Sequence, residues 1–176
     1  MPIETLPPHD PEAEAAVLGS LLIDPDAYYE VSEILAPEAF YHPSNRWLYE
    51  AIQSLSARQE PPDIVVIQDE LLRAGRLDEV GGMSYMLNLL TAVPTSINAE
   101  YYARIVADKA TRRRLIHAAG QVATAAYDEA QPIGDVVAAA EAAVMGAGAD
   151  TDRGAVVSAR RYMTDYLDNF LADVNS

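Results

Sequence analysis

The sequence has no cysteine. That removes disulfides, thiolate zinc sites and cysteine nucleophiles together. Histidine is scarce as well: His9, His42 and His117 stand too far apart for a helical metal pair, which needs a spacing of about three or four. A structural or solvated role is expected for each, with His42 capping a helix and His9 in an unstructured N-terminus. No apolar run approaches the roughly 20 residues that span a bilayer. The proline-rich, acidic start from Met1 to Asp10 has no signal-peptide core. A soluble, cytoplasmic chain with no membrane partner is expected. Bases are few where acids are many. Residues 1–100 hold 17 acidic and 4 basic side chains, a net charge of −13, and residues 101–176 hold 10 and 8, a net of −2. A domain that grips phosphate by itself presents a basic face, and the first hundred residues cannot supply one. The acid excess also opposes anionic lipid.

Catalytic motifs are missing from these residues too. A phosphate-binding loop needs its glycines followed by Lys-Ser or Lys-Thr. Gly81-Gly82 is followed by Met83-Ser84, and Gly146-Ala147-Gly148 by Ala149-Asp150. No G-x-S-x-G elbow is present. Asp69-Glu70 and Asp128-Glu129 are adjacent pairs, which diverge around a helix instead of forming a dyad. No catalytic, cofactor-binding or metal residue is assigned.

What the sequence does have is helical patterning. Half of the residues are hydrophobic, and their alanine-rich and leucine-rich make-up favours helix. Asp10-Pro11-Glu12 is a helix start, and Val17, Leu18, Leu21 and Leu22 follow at helical spacing. Asp24-Pro25 repeats the start before Tyr28, Val31 and Leu35. His42-Pro43 opens a helix carrying Leu48, Ala51, Ile52 and Leu55. Ile64 to Ile67 reads as an extended entry into a helix through Leu71 and Leu72, closed by Gly75. Gly81-Gly82 is a turn before Met83, Met86, Leu87 and Leu90.

From Asn98 the character changes. One helix of roughly 30 residues is predicted from Ala99 to about Glu129, longer than most globular helices. A second is predicted from Ile133 to Met145. The expected organisation is all-α: a globular head over residues 1–97 and a helical hairpin over 98–145. A small, polar linker over 146–157 and a last amphipathic helix over 158–176 complete it. Lys109, Arg112, Arg113 and Arg114 form the one basic cluster, read either as a solvated face or as an interface with acid or nucleic acid. The last helix carries Met163, Tyr166, Leu167 and Phe170 on one side and either folds back or docks elsewhere.

Several local strings carry a resemblance. Glu12-Ala13-Glu14-Ala15-Ala16-Val17-Leu18-Gly19-Ser20 is similar to the opening of the N-terminal domain of DnaB-type replicative helicases. Ala39-Phe40-Tyr41, Asp63-Ile64-Val65-Val66 and Gly81-Gly82-Met83-Ser84-Tyr85-Met86 match later segments of that family in order. Pro94-Thr95, then Asn98 to Val106, then Arg113-Arg114-Leu115-Ile116 continue it. The likeness is strong from Pro7 to Tyr127 and fades beyond. Ala39 stands where the family has an acid, and Val144 to Gly148 is smaller than its usual helix end.

The resemblance implies a non-catalytic collar domain. Its hairpins pair between copies as a dimer, or as a trimer of dimers in a hexamer, and it receives the C-terminal domain of primase. It implies Ile105, Ile116, Ala119, Val122 and Ala126 for pairing. For the primase surface it implies Tyr85, Ile116 and Val122. Met163, Tyr166, Leu167 and Phe170 would dock on a neighbouring subunit's motor domain. ATP and Mg belong to that motor domain, so this segment alone is expected neither to hydrolyse ATP nor to unwind DNA, and to bind DNA weakly or not at all. The rival readings are a stand-alone helicase loader or regulator, and a single-strand DNA-binding module.

Overall fold

Asp10, Pro11 and Glu12 start the first helix as their chemistry requires. The Asp10 carboxylate accepts a hydrogen bond from Ala13 N at 3.0 Å, Pro11 takes the first helical position, and Glu12 and Glu14 lie in the first turn. The computed structural model describes residues 6–93 and 95–148, and every regular element among them is helical. Helix α1 (Pro11–Ile23) leads to α2 (Ala27–Ile34), a 3-10 turn (Pro37–Ala39), α3 (Pro43–Ala57) and α4 (Ile64–Arg73). Then come α5 (Leu77–Val80), α6 (Gly82–Ala92), α7 (Ala99–Tyr127) and α8 (Ile133–Gly148). The all-α class expected from the sequence is the one found. No described helix is long and apolar enough to cross a membrane. The chain parts into two units between Arg114 and Leu115, inside α7.

In the first unit α1 is the central helix. Ala13, Glu14, Ala16, Val17, Leu18, Gly19, Ser20 and Leu21 are all buried, so α1 is enclosed on most of its circumference. Its closest neighbour is α6. A β-carbon added at Gly19 would lie 2.3 Å from the Leu89 carbonyl oxygen, so only glycine lets these backbones approach. Around this pair, α3 buries Leu48, Tyr49, Ala51, Ile52 and Leu55, and α4 buries Ile67 and Leu71. Each such leucine or isoleucine contributes about 1.5–3 kcal/mol by leaving water. Gly81, at φ 99°, makes the left-handed join between α5 and α6.

Five expectations need correction. Ile64 to Ile67 is the first turn of α4, not an extended entry: the Asp63 carboxylate accepts from Val65 N and Val66 N, both at 2.9 Å, and this cap outweighs β-propensity. Asp24 caps the end of α1, and α2 starts only at Ala27. The short helix α5 was not foreseen; four residues carry too little periodicity to read. The first unit ends at Arg114, not at residue 97, because Ala99, Ala103, Val106 and Ala110 recur on one side of α7 and are buried in the first unit's core. Gly146, Ala147 and Gly148 are not linker but the last turn of α8. The expected remainder of the linker and the last helix, with Met163, Tyr166, Leu167 and Phe170, lie outside the described residues.

Candidate protein-binding interface

The basic run on α7 is best judged from the buried charge nearest to it. Glu14 on α1 is almost fully buried. Its carboxylate accepts from Tyr41 N at 2.7 Å, from Asn45 Nδ2 at 2.7 Å and from His42 N at 3.4 Å. Those donors stand at the start of α3, where the His42 side chain makes no cap. Glu14 therefore caps α3 from another helix, its negative charge on the positive end of the dipole. The Tyr85 hydroxyl donates to Asn45 Oδ1 and extends the network to α6. Burial first, then the charge of Glu14, raise the Tyr85 pKa above its ordinary value.

Arg113 completes the cluster. Its guanidinium donates to the Pro8 carbonyl at 2.7 Å and to the Ala39 carbonyl, and lies 5.5 Å from the centre of the Tyr41 ring. Burial depresses its pKa, and Glu14 opposes that shift. His9 stacks on Tyr41 at 4.3 Å, so it is fixed, not unstructured. Arg113 thus belongs neither to a solvated face nor to a nucleic-acid interface. Arg112 is exposed, Lys109 is half-buried, and Arg114 donates to Thr111 Oγ1 at 2.9 Å. The four bases do not act as one patch. Tyr85, placed by the sequence on a partner surface, is half-buried with its hydroxyl turned inward. Ile105, expected at a pairing surface, packs against the first unit's core.

The second unit is built differently. Ile116 is 59% exposed, Ala119 and Ala126 are exposed, and Val122 is half-buried. Tyr127, Ile133, Val137, Val144 and Met145 are exposed as well. The apolar side chains that are buried within residues 115–148 are Ala118, Val136 and Ala147. An open groove of about 630 Å³ runs along α7, lined by Ile116, His117, Gly120, Gln121, Thr124, Ala125, Asp128 and Gln131. Ile116 was singled out from sequence. The rest of the lining was not, although Ile116, Gly120, Thr124 and Asp128 repeat every four residues and so share one side of a helix. Among the described residues no group of three or more His, Asp or Glu side chains could hold a metal.

Fold and surface together define an all-helical domain with one well-packed unit and apolar side chains left open on α7 and α8. The chain belongs to the DnaB-like helicase N terminal domain family, whose family model matches residues 6–108. It is 41% identical over 142 residues to the replicative DNA helicase DnaC of Bacillus subtilis, covering 81% of this chain and 31% of that protein. To the replicative DNA helicase DnaB of Geobacillus stearothermophilus it is 38% identical over 166 residues, covering 94% and 37%. The chain therefore spans about a third of the length of these relatives. The crystal structure of the N-terminal domain of DnaB helicase from Mycobacterium tuberculosis matches with a TM-score of 0.77 at 42% identity, covering 80% of this chain and 99% of that one. A structure of a DnaB-like replicative helicase and its interactions with primase matches with a TM-score of 0.62 at 27% identity, covering 74% and 30%.

Proposed function

We propose that this chain serves as the N-terminal collar of a replicative DNA helicase, joining copies of the helicase through α7 and α8 and receiving primase. One observation carries the reading: residues 115–148 leave most of their large apolar side chains in water. Exposed apolar surface of this kind marks a partner site. The relative described with primase supplies the kind of partner. On this reading Ala119, Val122 and Ala126 meet a second copy, and Ile116, with Val122 and Tyr85 nearby in role, serves primase. The work of the fragment is binding, and ATP hydrolysis belongs to the motor region of the whole helicase.

The test is native mass spectrometry of the chain, alone and with the C-terminal domain of the cognate primase. Dimers or hexamers that add primase domains are expected. A monomer that binds primase would remove the self-association half of the proposal. A monomer that ignores primase would overturn both halves.

A further inference from the structure

The charges around the α7 groove are of one sign. Between Leu115 and Gly148 the chain has Asp128, Glu129, Asp135 and Glu141 and no lysine or arginine. Asp128 lines the groove itself; its carboxylate accepts from Ala130 N and from Gln131 Nε2, both at 3.1 Å, which fixes it in the turn after α7. Gly120 lies beside it, and a β-carbon there would meet nothing within 4 Å. The groove therefore offers an open bed for an apolar side chain, with Ile116 and Ala125 at its sides and a fixed negative charge at one end.

Helical geometry separates this groove from the pairing stripe. At about 100° per residue, Ala119 and Ala126 point roughly opposite to His117, Gln121 and Thr124. Pairing of two copies through Ala119, Val122 and Ala126 leaves the groove open. A second copy laid groove to groove would set acid against acid, which is unfavourable. We propose that the groove takes a lysine- or arginine-bearing amphipathic helix of the primase, one apolar side chain seated over Gly120 and a cation beside Asp128. This rests on the reading that the chain receives primase, and it divides that surface: Ile116 belongs to the primase site and Val122 does not.

Affinity of the whole chain for the C-terminal domain of the cognate primase, titrated at low and high salt, tests the proposal. Gly120→Leu fills the bed without a clash and improves helix propensity, and should weaken binding roughly tenfold. Asp128→Lys should weaken it roughly tenfold at about 50 mM salt and flatten the salt dependence seen in the parent chain. Val122→Asp should change the self-associated mass and leave primase affinity within about twofold. If the parent chain binds with no salt dependence and both groove variants bind like it, the groove is not the primase site, while the function proposed above stands. If the parent chain does not bind the primase domain, that function fails and this inference with it. If Gly120→Leu alters only the self-associated mass, or only the hydrogen exchange of residues 149–176, the occupant is a second copy or the chain's own end, and the proposal is overturned.

Discussion

The two units of this chain spend the same residue types in opposite ways. Residues up to Arg114 bury their leucines, isoleucines and valines around α1 and place a carboxylate, Glu14, where three donors meet it. Residues 115–148 bury chiefly alanine and leave Ile116, Tyr127, Ile133 and Met145 in water. The first unit has the properties of a finished core: satisfied polar groups and close packing. The second has those of half an interface. Substitutions in the first unit should therefore change stability, and substitutions in the second should change association. The predictions below are ordered by the size of the stability effect that this contrast requires.

The largest effect is expected at Gly19. Valine there would drive its β-carbon into the Leu89 carbonyl and force α1 and α6 apart. A loss of roughly 3 kcal/mol or more is expected. The single tryptophan, Trp47, lies under Arg76 at 4.3 Å in the same unit, so its fluorescence in urea reports the loss. A midpoint equal to that of the parent chain would mean that the two helices are not held at this distance.

Two substitutions come next and test the buried network. Glu14→Gln removes the charge that faces Arg113 and weakens the cap on α3, at an expected cost of about 2 kcal/mol. Arg113→Ala leaves the Pro8 and Ala39 carbonyls without their donor and should cost about as much. Arg112→Ala, one residue away and exposed, should stay within about 0.5 kcal/mol. Equal urea midpoints for the two arginine variants would show that the basic run is a single solvated face after all.

This arginine pair shows what the sequence could and could not disclose. Helix starts at Asp10 and His42 and the buried stripes of α1 and α3 were legible, because caps and periodicity act locally. So were the length of α7 and its return as α8. The separate fates of Arg112 and Arg113 were not, because they depend on Pro8, Ala39 and Tyr41, which are remote in sequence. The same holds for Tyr85, whose partner Asn45 is forty residues away. On the second unit, Ile116 was readable from its place in a family-like string. The groove around Gly120 was not, since a glycine inside a helix reads as a weakness until the space above it is seen.

A smaller effect is expected from pH. Glu70 accepts from the Arg58 guanidinium at 2.8 Å and from Ser54 Oγ at 2.9 Å. These bonds, Arg58 foremost, hold its carboxyl below its ordinary value of 4.5. A depressed carboxylate stabilises the fold at every pH above its unfolded value, and that part is lost as the pH falls through the folded value. The pair lies near the surface, so roughly 0.5–1 kcal/mol is at stake. The parent chain should exceed Glu70→Gln in urea midpoint at pH 7 by that margin, and the two should converge in strong acid. A margin that persists when the carboxyl is protonated would mean that Glu70 acts through packing and not through charge.

The smallest stability effect, and the sharpest use of the contrast, is expected at Ile116. An isoleucine in a core could not become aspartate without unfolding the helices around it. At 59% exposure Ile116 has little to lose, so Ile116→Asp should change the urea midpoint by less than about 0.5 kcal/mol. Helicity by circular dichroism should be unchanged. What should change is binding: a carboxylate placed on an open apolar surface must be desolvated whenever that surface is covered, which costs several kcal/mol. Loss of association at constant helicity would show that the second unit's exposed side chains are one half of a contact. Loss of helicity would show that α7 needs Ile116 for its own packing, and the division between a finished first unit and an open second one would have to be redrawn.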